Sequence, residues 1–303
     1  MLKTTPARTK KVIEILMDWY QKKTEIFTNA ELPEALIPEG ITIGSYDHIM
    51  FLTQSVSIDY MRSAQQLWDA ARTTWKDETT RWVFYPKEIA KRNLEDLIDA
   101  MSKHKLSKKH TKDPTTWRKV ALSFNNLFDG DPRNLFQKFN YDALQIFNSM
   151  RSQYGKDFPY LAGSTGTSKI LSLWIRMLHD FAKVEFRNLN EVPIPVDIHT
   201  ARATITTGCL AGEFSGTFGE LADKTKKAWI EACEGTGFYP LQLDEPLWNL
   251  SRYGCSNYKN GSTCPVRHQC RLRNYCVTEN ASSKIFLQQN NTTTIVTEYP
   301  EQQ

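Results

Sequence analysis

The sequence predicts an all-α fold, on three observations. Apolar residues recur at helical spacing through most of the chain, helix-start signals precede several of these stretches, and few segments alternate as strands do. No internal repeat is visible. At 303 residues the chain can bury a sizeable core as one large domain or two lobes.

In order, RTKKVIEILMDWYQKK has helically spaced apolar positions, and ELPEALIPEGITIGS then breaks the pattern with two prolines and two glycines. SYDHIMFLTQSVSIDYMRSAQQLWDAARTTW reads as two helices with a polar turn near Val56–Asp59. The second puts Tyr60, Ala64, Leu67, Trp68 and Ala71 on one face. PKEIAKRNLEDLIDAMSKHK is a further helix with Pro86 near its start. DPTTWRKVALSFNNLF is another, with Asp113 as cap and Pro114 at the first helical position. DPRNLFQK and NYDALQIFNSM are short helical pieces, and TSKILSLWIRMLHDFAKVEF is the strongest helix of all. After the extended VPIPVD connector, DIHTARATITTGCL starts a helix with Asp197 as its N-cap. GELADKTKKAWIEACEGTG ends in glycines that can terminate a helix, and DEPLWNLSRYGC follows. The polar, Asn/Gln/Thr-rich end of the chain reads as a loosely held tail.

Hydrophobic content of 40% and charged content of 24% are ordinary for a globular protein. No apolar run approaches the roughly 18 residues of a membrane span. The basic N-terminus lacks the continuous apolar core of a secretory signal. A soluble, intracellular, cytoplasmic protein is expected, with no membrane partner. The net charge of +4 is mild, but its distribution is uneven. Basic residues outnumber acids from Arg81 to Lys119, centred on SKHKLSKKHTK. A second zone carries Arg252, Lys259, Arg267, Arg271 and Arg273 with no acid among them. Two such zones suggest a local surface for a polyanion; the plain alternative is a solvated, lysine-rich face.

The second zone holds four of the six cysteines, Cys255, Cys264, Cys270 and Cys276, spaced C-x8-C-x5-C-x5-C. Zinc sites usually contain pairs about two to four residues apart, which none of these gaps matches. Disulfides fit poorly inside a cell. A [4Fe–4S] cubane needs four converging thiolates and tolerates varied loops. On spacing alone the cluster and zinc both stay open. Cys209 and Cys233 lie in helical patterns and read as core residues.

Coming straight after LWNLSRYGC in a helical chain, this loop resembles the iron–sulfur loop of the endonuclease III branch of the helix-hairpin-helix (HhH-GPD) DNA glycosylases. That family's usual spacing is C-x6-C-x2-C-x5-C; here the last gap agrees and the first two are longer. Three further segments carry the resemblance, which covers roughly residues 45 to 276. YLAGSTGTSKILSLWIRML is similar to the family's LPGVGxxTA hairpin, with Ala162 where proline is common. VPIPVDIHTARAT resembles VDTHVxR and, through its prolines, the matching segment of archaeal 8-oxoguanine glycosylases. IMFLTQSVSIDYMRSAQQLW is similar to LLSAQTTDxxVNxA.

The resemblance implies a two-lobed, all-α helix-hairpin-helix glycosylase fold with a C-terminal four-cysteine cluster loop. Its parts would be an N-terminal helix and linker (1–44) packing with the C-terminal lobe, a helical barrel lobe (45–160), hairpin and catalytic helices (161–210), a C-terminal lobe with the cluster loop (211–276) and a tail (277–303). It implies a DNA glycosylase with AP-lyase activity, acting as a monomer on double-stranded DNA that carries a modified base, with an oxidised or otherwise altered purine favoured. Lys169 would be the nucleophile that forms a Schiff base, and Asp197 its electrostatic and proton-accepting partner. Gly163, Ser164 and Gly166 would hold phosphate through backbone N–H groups at a helix start. Gln54 would fill the gap left by an extruded nucleotide. Cys255, Cys264, Cys270 and Cys276 would hold a structural cluster presenting Arg267, Arg271 and Arg273 to the backbone. Trp174, Phe181 and Trp248 are candidates for the base pocket, and His199 reads as a packing or hydrogen-bonding residue. The rival readings are a non-catalytic nucleic-acid-binding protein on the same scaffold, a glycosidase acting on modified RNA or nucleosides, and a zinc-stapled interaction protein.

Overall fold

The computed structural model describes residues 1–162, 168–280, 282–289 and 291–299. Helices dominate, and the chain divides into two compact units, Glu31–Leu189 and Met1–Ala30 with Asn190–Gln303. The latter begins with α1 (Pro6–Lys22), which buries Val12, Ile13, Leu16, Met17, Trp19 and Tyr20 along one helical stripe.

In Glu31–Leu189 the central element is α2 (Tyr46–Val56). Ser45 caps it, accepting from His48 N at 3.2 Å. Every residue from His48 to Val56 is buried, as in a helix enclosed by others. There follow α3 (Ala64–Lys76), α4 (Pro86–Ala90), α5 (Leu94–Lys103), α6 (Lys112–Phe128), α7 (Pro132–Lys138) and α8 (Ala143–Ser152). Then α9 (Lys169–Asp180) packs back on α2. Trp174 Nε1 donates to Thr53 Oγ1 at 2.9 Å, and Ala182 closes against Gly44. The two helices are therefore antiparallel, with the end of α2 beside the start of α9. Phe51, Trp68, Trp75, Phe84 and Trp117 fill the space between α2, α3 and α6 with ring centroids 5.2 to 6.0 Å apart. Residues 31–44 pack in this unit: Arg72 donates to Pro33 O at 2.8 Å, and Arg176 pairs with buried Glu34 at 2.9 Å.

Three local expectations shift. The helix expected to include Tyr60 begins at Ala64, because Met61 is left-handed (φ 52°) and Ser63 supplies the cap; Tyr60 is exposed. The helix expected over 86–105 is two, since Asn93 caps a new start by accepting from Asp96 N at 2.8 Å. Asp113 lies inside the first turn of α6 and does not cap it. Its carboxylate accepts from Lys108 N and Lys109 N at 2.8 and 2.9 Å and so folds the preceding loop.

In the other unit, α10 (Ile198–Thr206) packs on α12 (Asp244–Tyr253), and α1 on α11 (Phe218–Cys233). A capping box of Thr217 and Glu220 starts α11, and Trp229 Nε1 donates to Thr204 Oγ1 at 2.9 Å inside the core. The polar tail is more ordered than its composition suggests. β1 (Gly212–Gly216) pairs antiparallel with β3 (Thr293–Thr297), which also pairs with β2 (Lys284–Phe286). The β-branched TTIVT alternates in burial, placing Thr293, Ile295 and Thr297 inward, which is why it forms a strand.

Candidate active site

Lys169 is the first residue of α9, following Ser168, which is buried and left-handed at φ 56°. The candidate phosphate-binding residues Gly163, Ser164 and Gly166 lie outside the described residues. The Lys169 ammonium is 3.6 Å from Asp59 Oδ2, with the lysine side chain 27% exposed and the aspartate 12%. Asp59 ends the turn after α2, and the antiparallel helix pair is what brings it to the start of α9. The sequence marked that turn as polar without marking the acid as part of the site; its contact with Lys169 spans 110 positions and carries no local signal. The field of Asp59 reaches further. Burial pushes the Glu34 carboxyl above its usual range, Arg176 opposes that, and Asp59 adds to it. Arg62, whose pKa burial lowers, is held up by Asp113 at 3.8 Å and by Asp59.

Gln54 lies on α2 and is fully buried, and neither of its amide atoms has a hydrogen-bond partner among the described residues. A side chain that fills a gap in DNA has to reach the surface; α2, enclosed on all sides, does not present this one there. The hydroxyls of Ser55, Ser168 and Ser172 are buried and likewise find no hydrogen-bond partner among the described residues. Trp174 is fully buried in the core, whereas Phe181 lies against the Arg176 guanidinium, 5.3 Å from it.

In the other unit, Asp197 caps α10, its Oδ1 accepting from His199 N at 2.8 Å and Thr200 N at 2.9 Å. Arg202 follows on the same helix. Burial lowers its pKa, while the Cys255 thiol and the Asp197 carboxylate both raise it, so its guanidinium is within electrostatic reach of both. Ser251 on α12 ties the group together, 3.2 Å from His199 Nδ1 and 3.3 Å from Arg202. Half-buried Trp248 lies 5.3 Å from the His199 ring and carries Arg252 at 5.0 Å.

The loop after α12 holds its cysteines with three short 3-10 turns, Cys255–Asn257, Arg267–Gln269 and Arg273–Tyr275. Among the described residues, Cys255, Cys264, Cys270 and Cys276 form no disulfide. They converge: Cys255 is raised well above the usual thiol value by burial, then by Cys276, with Cys270 and Cys264 adding to it. Cys270 is pushed up to about 12, first by burial and again by Cys276 and Cys264. As they stand, no three His, Cys, Asp or Glu side chains among the described residues form a ligand set for a metal ion. Thiols are donors that zinc and iron–sulfur clusters both take, and a bound cation would reverse the thiol pKa shifts. Arg267, Arg271 and Arg273 are all exposed, and Arg271 pairs with Glu25 at 3.0 Å and lies 3.8 Å from Asp18.

Comparison with known proteins agrees with this geometry. The fold is similar to a solved structure described as a trapped endonuclease III–DNA covalent intermediate in an estranged-adenine complex. The identity is 12% and the TM-score 0.51, over 88% of this chain and 96% of that one. A comparison with curated proteins found no match. The likeness is one of fold, a helical chain in which a lysine heads one helix and an aspartate caps another. The family model of AGOG N-glycosylase/DNA lyase matches residues 167–281, which include Lys169, Asp197 and the four loop cysteines. The chain is thus similar in fold to endonuclease III and, over residues 167–281, in sequence to the N-glycosylase/DNA lyase family.

Proposed function

We propose that the chain excises a modified base, an oxidised or otherwise altered purine, from double-stranded DNA through a Schiff base on Lys169. The observation that carries this is the placement of Lys169 at the head of α9, paired with a carboxylate 3.6 Å away, inside the segment that matches the lyase family. The amine attacks C1′ in its neutral form, so its ammonium proton has to leave first. The helix N-terminus, with its positive dipole end, favours that loss. Asp59 orients Nζ and can take the proton. As Nζ bonds to C1′, the glycosidic bond breaks and its electron pair leaves with the base. Ring opening then gives the Schiff base, and loss of a C2′ proton expels the 3′ phosphate by β-elimination. Asp197 supports the cationic sugar and accepts protons. Its Oδ1 is engaged by two backbone N–H groups, which fixes the carboxylate without neutralising it.

Cys255, Cys264, Cys270 and Cys276 would hold a [4Fe–4S] cluster, which would supply structure to the loop and a surface for Arg267 and Arg273; zinc is the alternative. Iron with a brown chromophore supports the cluster, and equimolar zinc without iron replaces it. Among the described residues no helix is long and apolar enough to cross a membrane, and the protein is expected to work as a monomer. Borohydride trapping tests the chemistry, on duplexes carrying 8-oxoguanine, an oxidised pyrimidine or an abasic site. The expected result is a covalent adduct with wild type and none with Lys169→Ala. No adduct with wild type removes the lysine mechanism and leaves a water-using glycosylase.

A further inference from the structure

We infer that Arg62 is a positioning residue for the reacting lysine: its buried guanidinium shares the Asp59 carboxylate with Lys169 and so loosens that carboxylate's hold on the ammonium proton. The inference rests on the lysine mechanism proposed above and adds a residue to it.

Asp59 and Arg62 sit on one short turn, with left-handed Met61 between them. The Asp59 side chain is 12% exposed, and its carboxylate lies 3.6 Å from Lys169 Nζ. The Arg62 side chain is 4% exposed; it donates to Leu106 O at 2.8 Å and lies 3.8 Å from Asp113 Oδ2. Asp113 is itself fixed, since its carboxylate accepts from Lys108 N and Lys109 N at 2.8 and 2.9 Å. Lys108 Nζ closes the clamp by donating to Met61 O at 3.0 Å. The turn that carries Asp59 is thus held in place from the side of Arg62.

The guanidinium is poorly neutralised where it lies. Among the described residues its one hydrogen bond goes to a neutral carbonyl, the Asp113 carboxylate stands beyond hydrogen-bond distance, and Nε has no partner. A cation buried in that state is costly. A neutral donor would fasten the turn to Leu106 O at lower cost, so fastening alone does not account for the charge. Two carboxylates answer it, Asp113 first and Asp59 second, against the burial that lowers its pKa. Asp59 therefore answers two cations, Arg62 on its own turn and Lys169 at the head of α9. Cations that share one carboxylate disfavour each other. Lys169 is the one that responds, because an ammonium can lose its proton where a guanidinium keeps its own. The other charges in reach are engaged elsewhere: Glu34 feels Asp59 but pairs with Arg176 at 2.9 Å, and Arg176 also faces Asp180 at 3.6 Å.

The test is the pH profile of adduct formation, read as the initial single-turnover rate of cyanoborohydride trapping on an abasic-site duplex. Attack needs the neutral amine, so the rate rises with pH to a plateau. Arg62→Gln keeps a donor for Leu106 O and removes the charge. The rise should move up by about one pH unit, which is about tenfold in rate below it. Arg62→Lys keeps the charge and should stay close to wild type. Asp113→Asn still accepts from the two backbone N–H groups but leaves the guanidinium to Asp59, so the rise should move down. An unshifted rise in folded Arg62→Gln, or an equal loss of rate at every pH in both Arg62 variants, reduces Arg62 to a clamp and overturns the inference. If Arg62→Gln does not fold, Asp113→Asn decides: a rise that stays or moves up overturns it. Lys169→Ala separates this role from the mechanism. A wild-type adduct that depends on Lys169, with unshifted variants, sinks the role of Arg62 and leaves the lysine mechanism. No wild-type adduct at any pH sinks both.

Discussion

In the α2–α9 pair, Lys169 is aimed by burial. Residues Leu171–Leu178 of α9 and His48–Val56 of α2 are buried, and the Trp174–Thr53 bond fixes their register. In the cysteine loop, Cys255 and Cys270 sit among short 3-10 turns, and their thiols are burdened by burial and by one another. The helix pair supports its own geometry, so its functional group can be removed at little structural cost. The loop brings together groups that resist ionising there, so its shape depends on what neutralises them.

The largest expected effect sharpens this contrast. Lys169→Ala should slow strand cleavage by about 10³-fold or more in single-turnover assays. Its thermal stability should stay within about 1 kcal/mol of wild type, because the ion pair of the lysine with Asp59 is partly exposed. Asp197→Asn should separate chemistry from folding in the other unit. Asparagine caps as well as aspartate, so the melting temperature should hold while the rate falls about 10²- to 10³-fold. A rate like that of wild type would reduce Asp197 to a cap.

Cys255→Ser should do the reverse. If the loop holds the proposed metal group, loss of one thiolate should release that metal and destabilise its unit by several kcal/mol, as metal binding in small sites is folding energy. Metal analysis beside a thermal melt reads both. A variant that melts like wild type and keeps its metal would show that the loop holds itself, and the contrast with the helix pair would fail.

These differences follow which features the sequence could reveal. The α9 helix was legible from its apolar period and the Asp197 cap from its position before DIHTARAT, because both signals are local. Asp59 was not, since its place beside Lys169 depends on the antiparallel register of two helices far apart in sequence. The burial of Gln54 depends on the same packing and was missed for the same reason. The tail was read as loose from its composition, yet its strand forms by pairing Thr293–Thr297 with Gly212–Gly216, a contact no local window contains. Arg271 was counted among cations for DNA, and a partner from the other end of the chain, Glu25, engages it.

Within the helix-pair unit, Glu34 and Arg176 are an ion pair buried to 8% and 2% exposure. Glu34→Ala should cost roughly 3 to 5 kcal/mol, since it leaves a guanidinium in the core without its nearest carboxylate. Denaturant unfolding measures this. A cost below about 1 kcal/mol would mean that water reaches Arg176, and that burial is a weaker organiser here than the packing suggests.

The smallest effect is a pH dependence centred on α2. His48 is fully buried, and burial lowers its pKa to about 4. Its Nδ1 accepts from Gly44 N at 3.2 Å, so the ring is neutral with its proton on Nε2. Protonation costs that acceptor as well as solvation. Between the unfolded value of about 6.5 and the folded value, the unfolded chain binds the extra proton. Stability is therefore complete above about pH 6.5 and falls as the pH drops towards 4, with about 2 kcal/mol lost by pH 5. His48→Asn, which can still accept from Gly44, should flatten that slope in denaturant titrations at pH 5 and 7. If the slope survives the substitution, other groups carry it, and the start of α2 is open enough to water for His48 to titrate as it does in the unfolded chain.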